Sequence, residues 1–397
     1  MRLSAGKRHL SALNVQSKGE VCSITLTRPK ALNALNPEIT SGIKSQLMEW
    51  KNQEGTSPSA FVVKGEGKAF CAGGDVKAIW EELDEGKIPK EDLGTGKPGY
   101  LHTDFFRTEY HMNYLLGTSS IPQVSFWDGF VMGGGVGISI LGKYRVATEK
   151  TVFAMPETAI GLFPDVGSSY WLPHVPGGAG YYLGLTGSRV FAKDLLSTGM
   201  ATHYVSSDKL EDLEEAIAQM GGSGDLEAIL DRFQAESLPH VDEKFAAKST
   251  LSREVHGAFI EKCFHPDNAS TVEAITANLK AMENEGGAGA SWASDTLATM
   301  AKMSPTSMAI THQQLQEGAC MLQDKGLSDA SRLAACLKME YRLAQRCMAH
   351  GDFSEGIRAV LVDKDHTPRW APLPGSVDAW FEPLGHELGL EEALGGE

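Results

Sequence analysis

Ile121-Pro122-Gln123-Val124-Ser125-Phe126 leads into Gly129-Phe130-Val131-Met132-Gly133-Gly134-Gly135-Val136-Gly137. The first stretch is short, apolar and bounded by proline and glycine, which predicts a strand. The second is a glycine-rich turn, and the apolar residues after it predict a helix reaching Leu141. The same succession stands earlier in the chain. Phe61-Val62-Val63 predicts a short strand that empties into Gly65-Glu66-Gly67-Lys68-Ala69-Phe70-Cys71-Ala72-Gly73-Gly74-Asp75, with a helix beginning at Asp75. Before it, residues 20–27 alternate apolar and polar side chains, the period of a half-buried strand. The turn Arg28-Pro29-Lys30 follows, and Asn36 then Pro37 opens a helix striped by Ile39, Ile43, Leu47 and Trp50. Strand, glycine-rich loop and helix, repeated, predict an α/β fold with parallel crossovers whose chemistry sits at the strand-to-helix loops.

Outward from this core the pattern changes. Residues 84–99 are rich in Gly, Pro, Lys and Asp and predict a surface loop or lid, and a helix is expected over 102–116. After about residue 205 long helical patterns dominate. Ser270 and Glu273 have capping-box spacing before the stripe Val272, Ile275, Leu279, Met282. Leu333, Leu337, Tyr341, Ala344 and Met348 form another stripe that Gly351 is expected to end, and Gly286-Gly287-Ala288-Gly289 predicts a joint between helices. The expected divisions are a targeting or disordered segment over 1–19, a catalytic core over 20–205, a helical region over 206–372 and a tail over 373–397. The first segment carries Arg2, Lys7, Arg8 and Lys18 with several serines and no acid before Glu20, the composition of a mitochondrial presequence.

The formal net charge of −15 argues against a protein that grips nucleic acid, which needs a basic face to displace counterions. The six cysteines form no Cys-x-x-Cys pair, so neither a zinc site nor a disulfide framework is expected and a reducing compartment fits. No run approaches the ~20 apolar residues that span a bilayer, so no membrane partner is expected.

Two carboxylates stand out in Phe153-Ala154-Met155-Pro156-Glu157-Thr158-Ala159-Ile160-Gly161-Leu162-Phe163-Pro164-Asp165-Val166-Gly167. Each follows a proline, which predicts a shaped loop presenting both side chains. Their neighbours are apolar, and lost hydration moves a carboxylate's pKa toward the range of general acid or base work. Other chemistries fail on their fingerprints. No complete Gly-x-Gly-x-x-Gly follows a strand, the nearest P-loop match ends in Tyr144 where a magnesium-binding hydroxyl is needed, and no Gly-x-Ser-x-Gly elbow or His-Glu-x-x-His pair occurs. No metal is therefore expected. The glycine turns at 73–74 and 133–135 each enter a predicted helix, whose first N–H groups are unpaired and partly positive. Two such donors converging on one point would make an oxyanion hole, in which one donor is worth about 2.7–4 kcal/mol; glycine for tight strand–helix packing is the alternative for either turn alone.

Together these pieces resemble the crotonase, or enoyl-CoA hydratase/isomerase, superfamily over about residues 20–372. The markers are Leu26-Thr27-Arg28-Pro29-Lys30-Ala31-Leu32-Asn33-Ala34-Leu35, residues 68–75, and Met132 to Gly137. Met155-Pro156-Glu157, Gly161 to Gly167, Met339-Glu340-Tyr341-Arg342-Leu343 and residues 355–365 are similar to the hydrolase branch. The resemblance implies the crotonase spiral of strand-strand-helix turns followed by a mainly helical C-terminal region. It implies an oxyanion hole at the N–H groups of Gly74 and Gly134, a catalytic carboxylate at Glu157, a second acid at Asp165 and an acyl-pocket acid at Glu109. Coenzyme A, part of the substrate and not a cofactor, is expected near Lys68, Lys77 and Ala72.

The implied reaction is hydrolysis of a short β-hydroxyacyl-CoA thioester, releasing 3-hydroxyisobutyrate and CoA in mitochondrial valine breakdown. Glu157 would attack to give a mixed anhydride or activate water, and Asp165 would orient Glu157 or water or bind the substrate hydroxyl. Hydration or isomerisation of an enoyl-CoA is the alternative, but the position of a hydratase's first glutamate holds Gly137. A structural place in the small subunit of the mitochondrial ribosome and a homo-oligomer are further readings. Ser168-Ser169 stand where the hydrolases are expected to carry glycines.

Overall fold

The computed structural model describes residues 7–9, 11–52, 57–220, 224–237, 250–251 and 256–390. Arg2 of the basic N-terminal segment and the end of the expected tail lie outside the described residues. By the density of internal contacts the chain divides into two units. One comprises Met1–Gly74, His111–Phe153 and Val190–Ser249; the other comprises Asp75–Tyr110, Ala154–Arg189 and Thr250–Glu397.

In the first unit consecutive strands are dealt out between two sheets. The larger, in the order β1-β2-β3-β4-β6-β8-β10, holds β1 (Lys7–His9), β2 (Leu13–Lys18), β3 (Val21–Leu26), β4 (Ala60–Gly65), β6 (Gln123–Trp127), β8 (Tyr144–Ala147) and β10 (His203–Tyr204). The smaller, β5-β7-β9, holds β5 (Ala69–Cys71), β7 (Phe130–Met132) and β9 (Val152–Ala154). From β3 to β10 every pairing in the larger sheet is parallel. Each of β4, β6 and β8 is followed directly by its neighbour in the smaller sheet, which is the strand-strand-helix spiral expected. Val62, Val124, Phe126 and Val146 of the large sheet pack with Leu213, Ile217, Leu230 and Phe233 of the helices Leu210–Ala218 and Leu226–Ser237. The helix Pro37–Asn52 opens as expected, Asn36 Oδ1 accepting from Ile39 N–H at 3.0 Å.

Two expectations in this unit need correction. Residues 13–18, placed in a targeting or disordered segment, are a strand paired along its length with β3. Leu13 and Val15 are buried and alternate with polar residues, a period that the basic composition of the segment hid. The helix expected to reach Leu141 is only Gly134–Gly137. The Ile138 carbonyl accepts from Gln123 Nε2 at 2.7 Å, and Ser139 Oγ donates to Gly135 O at 2.8 Å while accepting from Trp127 Nε1 at 2.9 Å. Those side chains compete for groups that would continue the helical ladder.

The second unit is mainly helical, with Val76–Asp84, Val272–Glu285, Ala288–Met300, Pro305–Gln323 and Asp329–Ala349. Of the stripe Val272, Ile275, Leu279, Met282 all but the half-buried Val272 are buried, and Leu333, Leu337, Tyr341, Ala344 and Met348 are buried as expected. The capping residue before Val272 is Thr271, not Ser270: its hydroxyl accepts from Ala274 N–H at 3.1 Å. Gly351 opens the next helix, Gly351–Ile357, and does not merely end the previous one. The 84–99 loop is a run of turns in which Asp92 gathers Lys97 Nζ at 2.7 Å and Tyr100 Oη at 2.6 Å. The helix expected over 102–116 is Leu101–Gly117.

Candidate active site

In the first unit, parallel pairing of β5 with β7 brings the two glycine turns together although about sixty residues separate them. Leu35 N–H donates to Gly73 O at 2.8 Å and Ala72 N–H to Leu32 O at 3.0 Å, which pins the first turn. Gly73 has φ +112, and a Cβ there would stand 3.8 Å from Gly134 N and 3.4 Å from Met132 O. A Cβ on Gly135 would fall 2.3 Å from Cys71 O, closer than any side chain tolerates. These glycines thus serve tight packing and an unobstructed backbone at once. Gly134 is the first residue of its helix, so its N–H has no acceptor within that helix.

The carboxylates belong to the second unit. Pro156 sets φ where β9 has ended, and Glu157 opens a single 3-10 turn, Glu157–Ile160, that Gly161 closes at φ +70. The expected shaped loop is therefore partly helical. A Cβ on Gly161 would lie 2.2 Å from the Asp352 backbone, so this close approach requires glycine. Farther on, Gln314 Nε2 donates to Pro164 O at 2.6 Å, Val166 adopts φ +55 and Gly167 φ +90 before the short helix Ser168–Trp171. The turn presents Asp165 to the hydroxyl of Tyr110, which donates to Oδ2 at 2.7 Å.

Glu109, Glu157 and Asp165 are 2%, 5% and 4% exposed. Burial raises the Glu109 pKa well above the ordinary carboxylate range, and the charges of Asp165 and Glu157 push it further. Burial and then Asp165 raise Glu157 in the same direction. Asp165 is pushed up to about 6 by burial, against which the Tyr110 hydrogen bond works. Like charges sharing a dry site cannot all ionise, and of the three Asp165, at about 6, comes nearest the neutral range in which proton transfer works. Glu157 Oε2 and Glu109 Oε1 are buried without a hydrogen-bond partner among the described residues. Such orphans are costly unless something else meets them.

Gly74 and Gly134 thus fall in one unit, and Glu109, Glu157 and Asp165 are gathered in the other. Ala72 is half-buried behind Gly73, Lys68 is exposed, and Lys77 is exposed with its ammonium 3.6 Å from Glu81. A separate cleft of about 400 Å³ in the first unit, lined by Lys18, Ser23, Lys64, Asp128 and Glu214, contains none of these residues. Its groups answer one another, Ser23 Oγ donating to Glu214 Oε1 at 2.6 Å and Lys64 pairing with the same carboxylate. Sequence reasoning passed over Tyr110 and Glu340. Tyr110 follows Glu109 directly, and Glu340 is an acid three residues after Leu337 inside an apolar stripe, a pattern that marks a buried charge.

A family profile described as enoyl-CoA hydratase/isomerase matches residues 21–377. The chain belongs to that family. Among its relatives, the mitochondrial 3-hydroxyisobutyryl-CoA hydrolase of Xenopus laevis is 42% identical over 97% of this chain and 94% of its own. The human protein of the same name is 40% identical over 94% of this chain and 87% of its own. Two crystal structures share the fold at 30% identity. A carnitinyl-CoA dehydratase from Mycobacterium thermoresistibile superimposes with a TM-score of 0.76 over 96% of this chain and 99% of its own. An enoyl-CoA hydratase from Rhodobacter sphaeroides gives 0.73 over 94% and 98%.

Proposed function

We propose that this chain hydrolyses 3-hydroxyisobutyryl-CoA to 3-hydroxyisobutyrate and CoA in the mitochondrial matrix. Similarity over most of both chains to relatives named as mitochondrial enzymes of that activity supports the reading of substrate and location. The observation that carries the chemistry is the buried acid trio, with unpartnered oxygens on Glu157 and Glu109.

In this reading the N–H groups of Gly74 and Gly134 receive the thioester carbonyl oxygen and stabilise the negative charge that develops on it. Glu157, once ionised, takes one of two routes. It removes a proton from water as the water attacks the carbonyl carbon, then returns that proton to the departing CoA thiolate. Alternatively it attacks the carbon itself, expels the thiolate and forms a mixed anhydride that water cleaves. Asp165 orients Glu157 or the water, with Tyr110 fixing the carboxylate that does so. Glu109 meets the substrate's β-hydroxyl through its unpartnered oxygen. Lys68, Lys77 and Ala72 are assigned to the CoA moiety, the lysines through its phosphates, and CoA enters and leaves as substrate.

The test is Glu157→Gln together with Asp165→Asn. Each is expected to bind acyl-CoA while turnover falls by about 10²–10⁴-fold, the usual range for a lost general acid–base group. Undiminished hydrolysis by both variants would remove the site. Label entering Glu157 during a single turnover in ¹⁸O-water would establish the anhydride route, since water activation leaves the side-chain oxygens untouched. The hydratase and dehydratase named among the solved structures favour a second assay, hydration of crotonyl-CoA. Low activity is expected there, because Gly137 replaces the first hydratase glutamate.

A further inference from the structure

We infer that Glu340 is a positioning residue for the hydrolysis, its carboxylate gripping the backbone just after Asp165 and so fixing where that acid points. The inference rests on the reading of Asp165 as a working carboxylate. Glu340 lies within the helix Asp329–Ala349 and is fully buried. Oε2 accepts from Gly167 N–H at 2.7 Å, and Oε1 accepts from Ser169 N–H at 2.9 Å and from the Ser169 hydroxyl at 2.5 Å. These donors stand two and four residues after Asp165. Between them and the acid runs a backbone that resists its own shape. Val166 is β-branched and has φ +55, a region such residues rarely enter, and Gly167 follows at φ +90. A conformation of that kind persists only where its surroundings over-determine it. The clamp supplies that determination from a different helix, and Ser168 Oγ adds a bond to Asp165 O at 2.6 Å.

The three donors favour the ionised form of Glu340, and burial works against it. An ionised carboxylate has acceptors and no donor, which is what three converging donors require. A neutral carboxyl would aim its own proton at one of them. Burial pushes the Glu340 pKa up to about 8, the bonds from Ser169 and Gly167 hold it down, and the charge of Asp165 adds to the rise. The other titratable neighbours are Tyr110 and Cys336, both raised mainly by burial and in part by Glu340. Asp165 and Glu340 are therefore linked through the turn they share and through repulsion.

Glu340→Gln turns one acceptor oxygen into an amide N–H₂ facing a donor. It is expected to lower kcat by about 10- to 100-fold, the scale of a misplaced reacting group, with KM changed less than about threefold. Glu340→Asp keeps both acceptor oxygens and should recover much of the loss. The deciding measurement is a double-mutant cycle on residual turnover. In an Asp165→Asn background, Glu340→Gln should cost less than about twofold more, because its effect runs through Asp165. The same fractional loss in both backgrounds would mean a general structural role and overturn the inference. If Glu340→Gln does not fold, Ser169→Ala carries the same cycle by deleting only the hydroxyl donor. A loss that vanishes beside Asp165→Asn supports the clamp, and no loss, or an equal loss in both backgrounds, overturns it. An undiminished Asp165→Asn enzyme would sink the reading of Asp165 as well, whereas a crippled one with an additive Glu340→Gln sinks only the clamp.

Discussion

Replacing Asp165 by Asn should make the protein more stable at neutral pH while it loses turnover, and the gain should depend on pH in a defined way. Asp165 has its pKa raised from 3.8 to about 6 in the folded chain, chiefly by burial. A folded-state value above the unfolded one means that the native state holds a proton the unfolded chain would release. The associated stability is present below about pH 4, is lost as pH rises through about 6, and stays lost above. Each pH unit of that difference is worth about 1.4 kcal/mol, so the burden reaches about 3 kcal/mol by pH 7. Asn is nearly isosteric, can still accept from the Tyr110 hydroxyl, and carries no charge to desolvate. Denaturant unfolding of both proteins between pH 4 and 8, followed on a probe in the helical unit, should show little difference at pH 4. The variant's advantage should open between 4 and 6 and level off above. A difference independent of pH, or a variant less stable at pH 8, would show that the carboxylate is not the burden this reasoning makes it.

Tyr110→Phe removes the side-chain donor that opposes the rise at Asp165, and a hydrogen bond to a charged group is worth about 1.5–3 kcal/mol. The acid limb of the kcat/KM profile should therefore move up by about one to two pH units, and an unmoved limb would separate Asp165 from the rate-determining ionisation. Gly135→Ala would press a methyl against Cys71 O and Cys71 Cβ, at 2.3 and 2.8 Å from an unrelaxed Cβ, and so wedge β5 from β7. Overpacking of this kind costs about 1–3 kcal/mol, so lower unfolding midpoints and weaker turnover should appear together; a fully active variant would detach the Gly134 turn from the chemistry.

Legibility from sequence followed how far each signal depended on neighbours in the chain. The parallel strands and the Pro37 helix announce themselves by period and cap, and the glycine turns by composition. Pro-Glu and Pro-Asp in an apolar segment were enough to single out the acids. What escaped depended on distant partners. The helix after Gly133 stops because Gln123 and Trp127, from β6, occupy groups around Ile138 and Ser139. The Ser139 hydroxyl, which reaches back to Gly135 O, is the local part of that competition. Residues 13–18 were absorbed into a basic, serine-containing terminus, and only pairing with β3 lifts Leu13 and Val15 out of that composition. Glu340 stood in a quoted motif without a role, because the groups it serves lie some 170 residues away.

The second unit places its acids where they are least comfortable, and its remaining polar groups show why this is tolerated. Glu340, Asp165, Glu157 and Glu109 are all buried and all have pKa values raised by that burial. Glu340 is met by three donors, Asp165 by Tyr110, while Glu157 and Glu109 each keep an oxygen unanswered among the described residues. Satisfaction thus declines from the supporting acid to those assigned the substrate. An unmet buried polar atom costs about 1–3 kcal/mol, so a fold indifferent to chemistry would have filled these positions with apolar side chains. A ligand oxygen or hydroxyl that reached Glu157 and Glu109 would relieve that cost on binding. The same groups that weaken the empty protein would then favour its substrate, and the Asp165→Asn and Glu340→Gln variants separate those two consequences, one acting on the burden and the other on its placement.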